Sequence, residues 1–275
     1  MIFKIIYFYK IIKNRMAKIK QILKIKHIVL FVTIISVTSC QEKVYKFQYV
    51  QKQEVALSDS VPLNPTIDSV ILPYRKSMQK SLEKVLAYNP KLLSKKTGIL
   101  ETEVGNWLAD LSVKVSEPIF EKRSGHKIDF CLLNHGGIRA EIPVGNVTVQ
   151  TVFEVLPFEN ELVAVNISKE KMNELLTYLA KAKTAHPISG LRLTIDKAVH
   201  FKKVTVQGKN FEAFDSFWVL TNDYLLNGGD NMWFFQDPIE VVYIDYKIRN
   251  AVIDGLEKTD TIHAFLDNRF IFDPK

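Results

Sequence analysis

Cysteine is nearly absent from this chain: Cys40 and Cys131 are the only two in 275 residues. A disulfide framework is therefore excluded, and the fold must rest on an apolar core. Cys131 lies inside an apolar run, where a free cysteine behaves as a small buried hydrophobe. A nucleophilic role would need a nearby base, and His135 is four residues away. Histidines are sparse and scattered (His27, His126, His135, His186, His200 and His263), with no i,i+4 pair among them. No histidine–carboxylate cluster shows metal-ligand spacing, so no metal is expected in this chain. A G-x-S-x-G elbow, a P-loop and a G-x-G-x-x-G turn are all missing. Catalysis by this chain alone is accordingly not expected, and no catalytic residue is assigned. Internal repeats and low-complexity tracts are also lacking. Acid is absent from the first 39 residues, which hold eight bases (Lys4, Lys10, Lys13, Arg15, Lys18, Lys20, Lys24 and Lys26). Of 37 basic and 30 acidic residues in all, 29 and 30 remain beyond residue 39, a net of −1. The basic character belongs to the leader and gives no reason to expect a nucleic-acid partner.

That leader has the order of a secretory signal. From Met16, a basic segment (Lys18 to Lys26) precedes the apolar run Ile28 to Ile35, and Val37-Thr38-Ser39-Cys40 follows. The last four residues resemble a bacterial lipoprotein cleavage box, which would make Cys40 a lipidated N-terminus. An uncleaved anchor helix is the alternative, but the apolar run is short of the roughly 20 residues a bilayer requires. Residues 1–15 look like an overlong gene start. The expected organisation is signal peptide over 1–39, lipid-anchored linker over 40–65 and one folded domain over 66–275. Gln41 after the cysteine favours, by analogy with other bacterial lipoproteins, the outer membrane of a cell envelope.

Hydrophobic periodicity predicts a helix over Asp68–Ala87 packed on the domain, with Val70, Ile71, Tyr74, Met78, Leu82, Val85 and Leu86 on its stripe. Val44 to Tyr49 could add an edge strand. Further helices are expected over Thr102–Val115 and Ser168–Ala182, the latter capped by Ser168, and from Asp245 to about Lys258. Strands are expected at Ile128–Leu133, Glu161–Val165, Leu191–Ile195, Lys203–Val206 and Phe217–Leu220, with a short helix or turn over Gln150–Val155. A last helix and strand fit Thr261 to Phe272. Interspersed elements without βαβ spacing predict an α+β fold, a single domain of mixed sheet with packed helices.

Three motifs stand out: Asn134-His135-Gly136-Gly137-Ile138-Arg139, Leu156-Pro157-Phe158-Glu159-Asn160, and Asn222-Asp223-Tyr224 running on to Gly228-Gly229-Asp230. Taken singly they read as a turn with a surface arginine, a packed phenylalanine and a capping aspartate. In this order and spacing they resemble the C-terminal, substrate-recognising domain of the 5'-nucleotidase family, which includes UDP-sugar hydrolases and cyclic-nucleotide phosphodiesterases. The resemblance covers about residues 66–275. It implies that Phe158 and Tyr224 clamp a nucleobase and that Asp230 accepts from ribose hydroxyls. It also directs Arg139 at ribose and phosphate, and places Asn134 and Asn160 near the base. Glu101, Gly105, Asn106 and Asp110 match the way the family's domain opens. The arginine common before that glutamate is Leu100 here, so one phosphate-gripping cation is missing. The family's two divalent metals belong to a metallophosphatase domain whose motifs this chain lacks. The implied reading is a nucleotide-recognition subunit working with a separate metallophosphatase chain. A non-catalytic nucleoside- or nucleotide-binding surface lipoprotein is the alternative.

Overall fold

The computed structural model describes residues 2–38 and 64–273. Residues 1–62 and 63–275 form two compact units. Within the first, α1 (Ile2–Thr38) is one continuous helix. Cys40, the cleavage box beyond Thr38 and the expected Val44–Tyr49 strand lie outside the described residues. Among the described residues no helix is long and apolar enough to cross a membrane.

The second unit begins with α2 (Pro65–Leu82), whose Asn64 side chain accepts from the backbone N–H of Thr66 and Ile67. It continues with β1 (Val85–Asn89), α3 (Glu103–Ser124), β2 (Phe130–Leu132), β3 (Gly145–Thr148), α4 (Val149–Val155), β4 (Glu161–Ser168) and α5 (Lys169–Ala182). The remaining elements are β5 (Ile188–Ser189), β6 (Leu191–Ile195), β7 (Phe201–Val206), β8 (Lys209–Asn210), β9 (Ser216–Asn222), α6 (Asp223–Leu226), β10 (Glu240–Lys247), α7 (Ile248–Leu256) and β11 (Phe270–Phe272).

A five-stranded sheet in the order β10-β4-β9-β2-β5 organises the unit, with β2 and β9 parallel and the other pairs antiparallel. Its central strands are buried on both faces, so their sequences are nearly continuous apolar runs and their side chains alternate between two cores. On one face Cys131, Leu162, Ala164, Trp218 and Leu220 pack with α3, α4 and α7. On the other, Phe130, Leu132, Val163, Val165, Phe217 and Val219 pack with α5 and with a second sheet, β11-β6-β7-β8. Cys131 is fully buried, and burial pushes its thiol pKa well up, which suits the small-hydrophobe reading.

The α+β expectation holds, with differences at particular elements. The helix expected to Ala87 ends at Leu82; Val85–Asn89 instead pairs antiparallel with β3. None of α2 is buried, and Ile67, Val70, Tyr74 and Met78 stand exposed, so its stripe does not pack on the domain as expected. α3 runs past Val115 to a left-handed Gly125 at φ 74°, and it contains Pro118. Pro118 is on the exposed side of the helix, where water can serve the carbonyl that its missing N–H leaves free. Asp245–Lys247 belongs to β10 rather than to the last helix, and the tail before β11 holds no helix. Neither difference leaves a periodic trace: β10 carries Val241, Val242 and Ile244, and pairing with β4 outweighs the helical spacing that follows.

Candidate functional site

The three motifs meet at one edge of the five-stranded sheet. β2 and β9 are parallel with Cys131 beside Leu220, so Asn134, just past β2, and Asn222, the last residue of β9, lie at the carboxyl ends of neighbouring strands. β4 is antiparallel to β9 with Leu162 beside Asn222, which brings the loop before β4 to the same edge. Asn134, Gly136, Arg139, Phe158, Asn160, Tyr224 and Asp230 line a single open cleft of about 320 Å³ there. All six residues implied by the motifs are among them. A small apolar recess, lined by Leu108, Leu133 and Ile248, adjoins the cleft at Phe158.

Each wall has its own support. Asn134 is buried, and its Oδ1 accepts from Asn222 Nδ2 at 3.1 Å, while Asn222 Oδ1 caps α6 by accepting from Leu225 N–H at 2.9 Å. The Gly-Gly turn is a single 3-10 turn without positive φ. Gly137 instead leaves room for its neighbour: a Cβ there would meet Asn134 Oδ1 at 3.1 Å, a tight contact. Asp223 ties two walls together, accepting from the N–H of Glu161 at 3.1 Å and of Tyr224 at 2.8 Å.

Phe158 is 47% and Tyr224 42% exposed, although both are large aromatics. Neither stacks on another aromatic side chain among the described residues. The Arg139 guanidinium lies 5.8 Å from the Phe158 ring centroid and makes no hydrogen bond or ion pair within the described residues, leaving its donors open to the cleft. The loop bearing Phe158 is fixed from behind by Arg249, a buried arginine at the start of α7. It bonds the carbonyls of Leu156 and Pro157 and pairs with Glu159, which also pairs with Lys247. These two cations hold the Glu159 carboxyl down to about 2.

At the opposite wall the backbone turns through Gly228 at φ 85° and Asp230 at φ 52°. The Tyr224 ring lies on Gly229, where a Cβ would approach Cε1 at 2.4 Å, and Trp233 similarly crowds Gly228. Both glycines are thus spaces for aromatic rings. Asp230 Oδ1 accepts from the Tyr224 hydroxyl at 2.8 Å, and the Asp230 carbonyl accepts from the Tyr178 hydroxyl at 2.9 Å. The bond to Asp230 raises the Tyr224 pKa. Behind the loop His186 is buried and its Nδ1 accepts from His135 N–H at 3.2 Å; burial lowers its pKa to about 4.

Arg249, Tyr178, His186 and Lys95 support the cleft without appearing in the motifs. Lys95 is half-buried, with Nζ 3.5 Å from the His135 carbonyl; its pKa is lowered by burial and then by the charge of Arg139. A lysine five residues before Leu100 was the available signal for it. Leu100 itself is core, and the opening motif performs a different task from ligand contact. Glu101 is buried and accepts from Asn106 Nδ2 and from the N–H of Asn268 and Arg269. Arg269, also buried, donates twice to Asp110 and also to Asp267, Asn106 O and Ile188 O. The motif therefore clasps the C-terminal tail. Among the described residues no group of three or more His, Cys, Asp or Glu is placed to hold a metal ion.

The mixed-sheet domain thus presents two exposed aromatics, an arginine without a hydrogen-bonding partner among the described residues, and an acid around one cleft. The 5'-nucleotidase C-terminal domain family matches residues 85–237, and the chain belongs to that family. It is 29% identical over 166 residues to the trifunctional nucleotide phosphoesterase protein YfkN of Bacillus subtilis, covering 54% of this chain and 11% of that protein. With the cell wall protein Lmo0130 of Listeria monocytogenes it shares 28% identity over 160 residues, 53% of this chain and 20% of that one. The fold matches the 5'-nucleotidase precursor of Thermus thermophilus with a TM-score of 0.62 at 22% identity, covering 76% of this chain and 43% of that one. The Haemophilus influenzae NAD nucleotidase gives a TM-score of 0.57 at 16% identity, with 76% and 41% covered. This chain thus spans less than half the length of each of these four proteins.

Proposed function

We propose that this chain is the nucleotide-recognition subunit of a 5'-nucleotidase-type phosphoric monoester hydrolase. Phe158 and Tyr224 would hold the base between their faces, Asp230 would accept from the ribose, and Asn134 and Asn160 would line the base edge. Arg139 would meet the phosphate with Lys95 beside it, filling the place of the cation absent at Leu100. The observation that carries this reading is the convergence of all six motif residues on one cleft from three strand ends. Membership in the family supports it further.

Hydrolysis would be performed by a separate metallophosphatase chain bringing two divalent metals; this chain would contribute binding and orientation. Its folded domain would occupy residues 66–275, tethered by a linker over 40–65 to a lipidated Cys40 at the outer membrane, in a role of nucleotide catabolism and scavenging. Calorimetric titration of the full-length chain with adenosine and AMP tests the cleft. The expected result is micromolar-to-millimolar binding that favours AMP and is lost in Phe158→Ala. Equal binding of adenosine and AMP would instead support a nucleoside-binding surface lipoprotein. Failure of wild-type chain to bind either would sink both readings.

A further inference from the structure

The second aromatic wall is a tyrosine, and its hydroxyl is committed to the acid beside it. Tyr224 Oη donates to Asp230 Oδ1 at 2.8 Å and accepts from Asp230 N–H at 3.2 Å, closing a small ring around that residue. Gly229 supports the ring face, and the Tyr178 hydroxyl holds the Asp230 carbonyl, so neither partner is free to turn away. Asp230 Oδ2 has no partner among the described residues. It faces the Gly136 backbone, 4.0 Å from where a Cβ on that glycine would stand, and both residues line the cleft.

A carboxylate with both oxygens free can accept two adjacent hydroxyls at once, one on each oxygen. Where one oxygen already accepts a hydrogen bond and the carboxylate plane is fixed, that oxygen keeps only one lone pair, oriented by the tyrosine, and the other oxygen is the best-directed acceptor left to the cleft. We infer that the Tyr224 hydroxyl is a positioning group that sets the sugar selectivity of the site, by leaving Asp230 one oxygen with which to accept one of the two ribose hydroxyls. The ligand class that follows is broader than ribonucleosides. It includes nucleosides and nucleotides that lack whichever hydroxyl Oδ2 does not reach. This inference rests on the nucleoside reading of the cleft and adds to it the number of sugar hydroxyls that are read.

The test is titration of the full-length chain with adenosine, 2'-deoxyadenosine and 3'-deoxyadenosine, for wild type, Tyr224→Phe and Phe158→Ala. Tyr224→Phe keeps the ring on Gly229 and removes only the hydroxyl; thermal melts of each variant check that the fold persists. In the wild type one deoxynucleoside should bind within about threefold of adenosine. The other should lose roughly tenfold or more, the cost of one hydrogen bond to a charged group. In Tyr224→Phe, where Asp230 is free to turn both oxygens to the sugar, both deoxynucleosides should lose affinity relative to adenosine. Equal losses for both in the wild type, or an unchanged pattern in Tyr224→Phe, would overturn the inference. The nucleoside reading would survive that result, provided that adenosine binds and Phe158→Ala abolishes binding. Absence of adenosine binding to the wild type would end both.

Discussion

Asp230 adopts φ 52° and ψ 23°, a left-handed conformation that aspartate tolerates better than most side chains but that still costs energy. Its neighbours compensate, since Tyr224 bonds its side chain and Tyr178 its carbonyl. Asp230→Ala should therefore reduce nucleoside affinity by about tenfold or more while leaving a cooperative melt, as read by calorimetry and circular dichroism. His186 carries a second residue-scale consequence. Its Nδ1 must be unprotonated to accept from His135 N–H, and its folded pKa of about 4 lies below the ordinary histidine value of 6.5. The unfolded chain therefore binds the proton more readily between those values. The stabilisation from neutral His186 is full above pH 6.5 and is lost as pH falls toward 4. It amounts to roughly 3 kcal/mol at most. The melting temperature should drop on acidification through this window, and His186→Gln, which retains an acceptor, should flatten that part of the profile.

The two aromatic walls are set by elements that the motifs do not include. Tyr224 begins α6 directly after β9, and its ring rests on Gly229 across a tight turn. Gly229→Ala places a methyl 2.4 Å from the ring and should swing Tyr224 off the cleft. Binding should weaken by an order of magnitude with little change in melting temperature, because the ring is exposed. Phe158 depends on the start of α7: Arg249 grips the carbonyls of Leu156 and Pro157, and Ile248 N–H donates to Asn160 O at 3.0 Å. Arg249→Met keeps much of the packing against Phe153, whose ring centroid is 4.0 Å from the guanidinium carbon, but releases those carbonyls. The expected result is a loss of about 1–3 kcal/mol in denaturant unfolding, with weaker adenosine binding. Unchanged binding would show that the Phe158 loop holds its shape without α7.

For the folded unit as a whole, the Arg269 clasp joins the C-terminal tail to α3 and to β5. That tail carries β11 to β6, with Phe270 beside Leu193 in a parallel pair. Arg269→Met would leave the carbonyls of Asn106 and Ile188 without their donor and Asp110 without its counter-ion. Since the Asp110 side chain is 46% exposed, its part is discounted for solvent. A total near ~3 kcal/mol is expected in urea unfolding, with earlier protection loss in amide exchange of β11 than of β9. Adenosine affinity should be nearly unchanged in native conditions, because none of the clasp residues lines the cleft.

Much of this was legible in the chain itself. Strands β2, β4 and β9 announced themselves as apolar runs because both of their faces are buried. α5 was bounded by Ser168 because a capping hydroxyl and an apolar stripe are local signals. The six cleft residues were marked by the resemblance of three motifs, in their order, to the 5'-nucleotidase family. Tertiary structure decided what local pattern cannot carry. Val85–Asn89 continues a helical stripe by spacing, yet it becomes a strand because β3 offers it a ladder. Glu101, Asn106 and Asp110 sit in the motif with which the family's domain opens, yet they face the tail, since Arg269 arrives from more than 150 residues away. Arg249, Tyr178 and Lys95 gain their roles only from contacts made at long sequence separation, which no local periodicity encodes. Residue types and their order determined which groups this protein brings to the cleft; the pairing of β2, β4 and β9 determined that they arrive at one place.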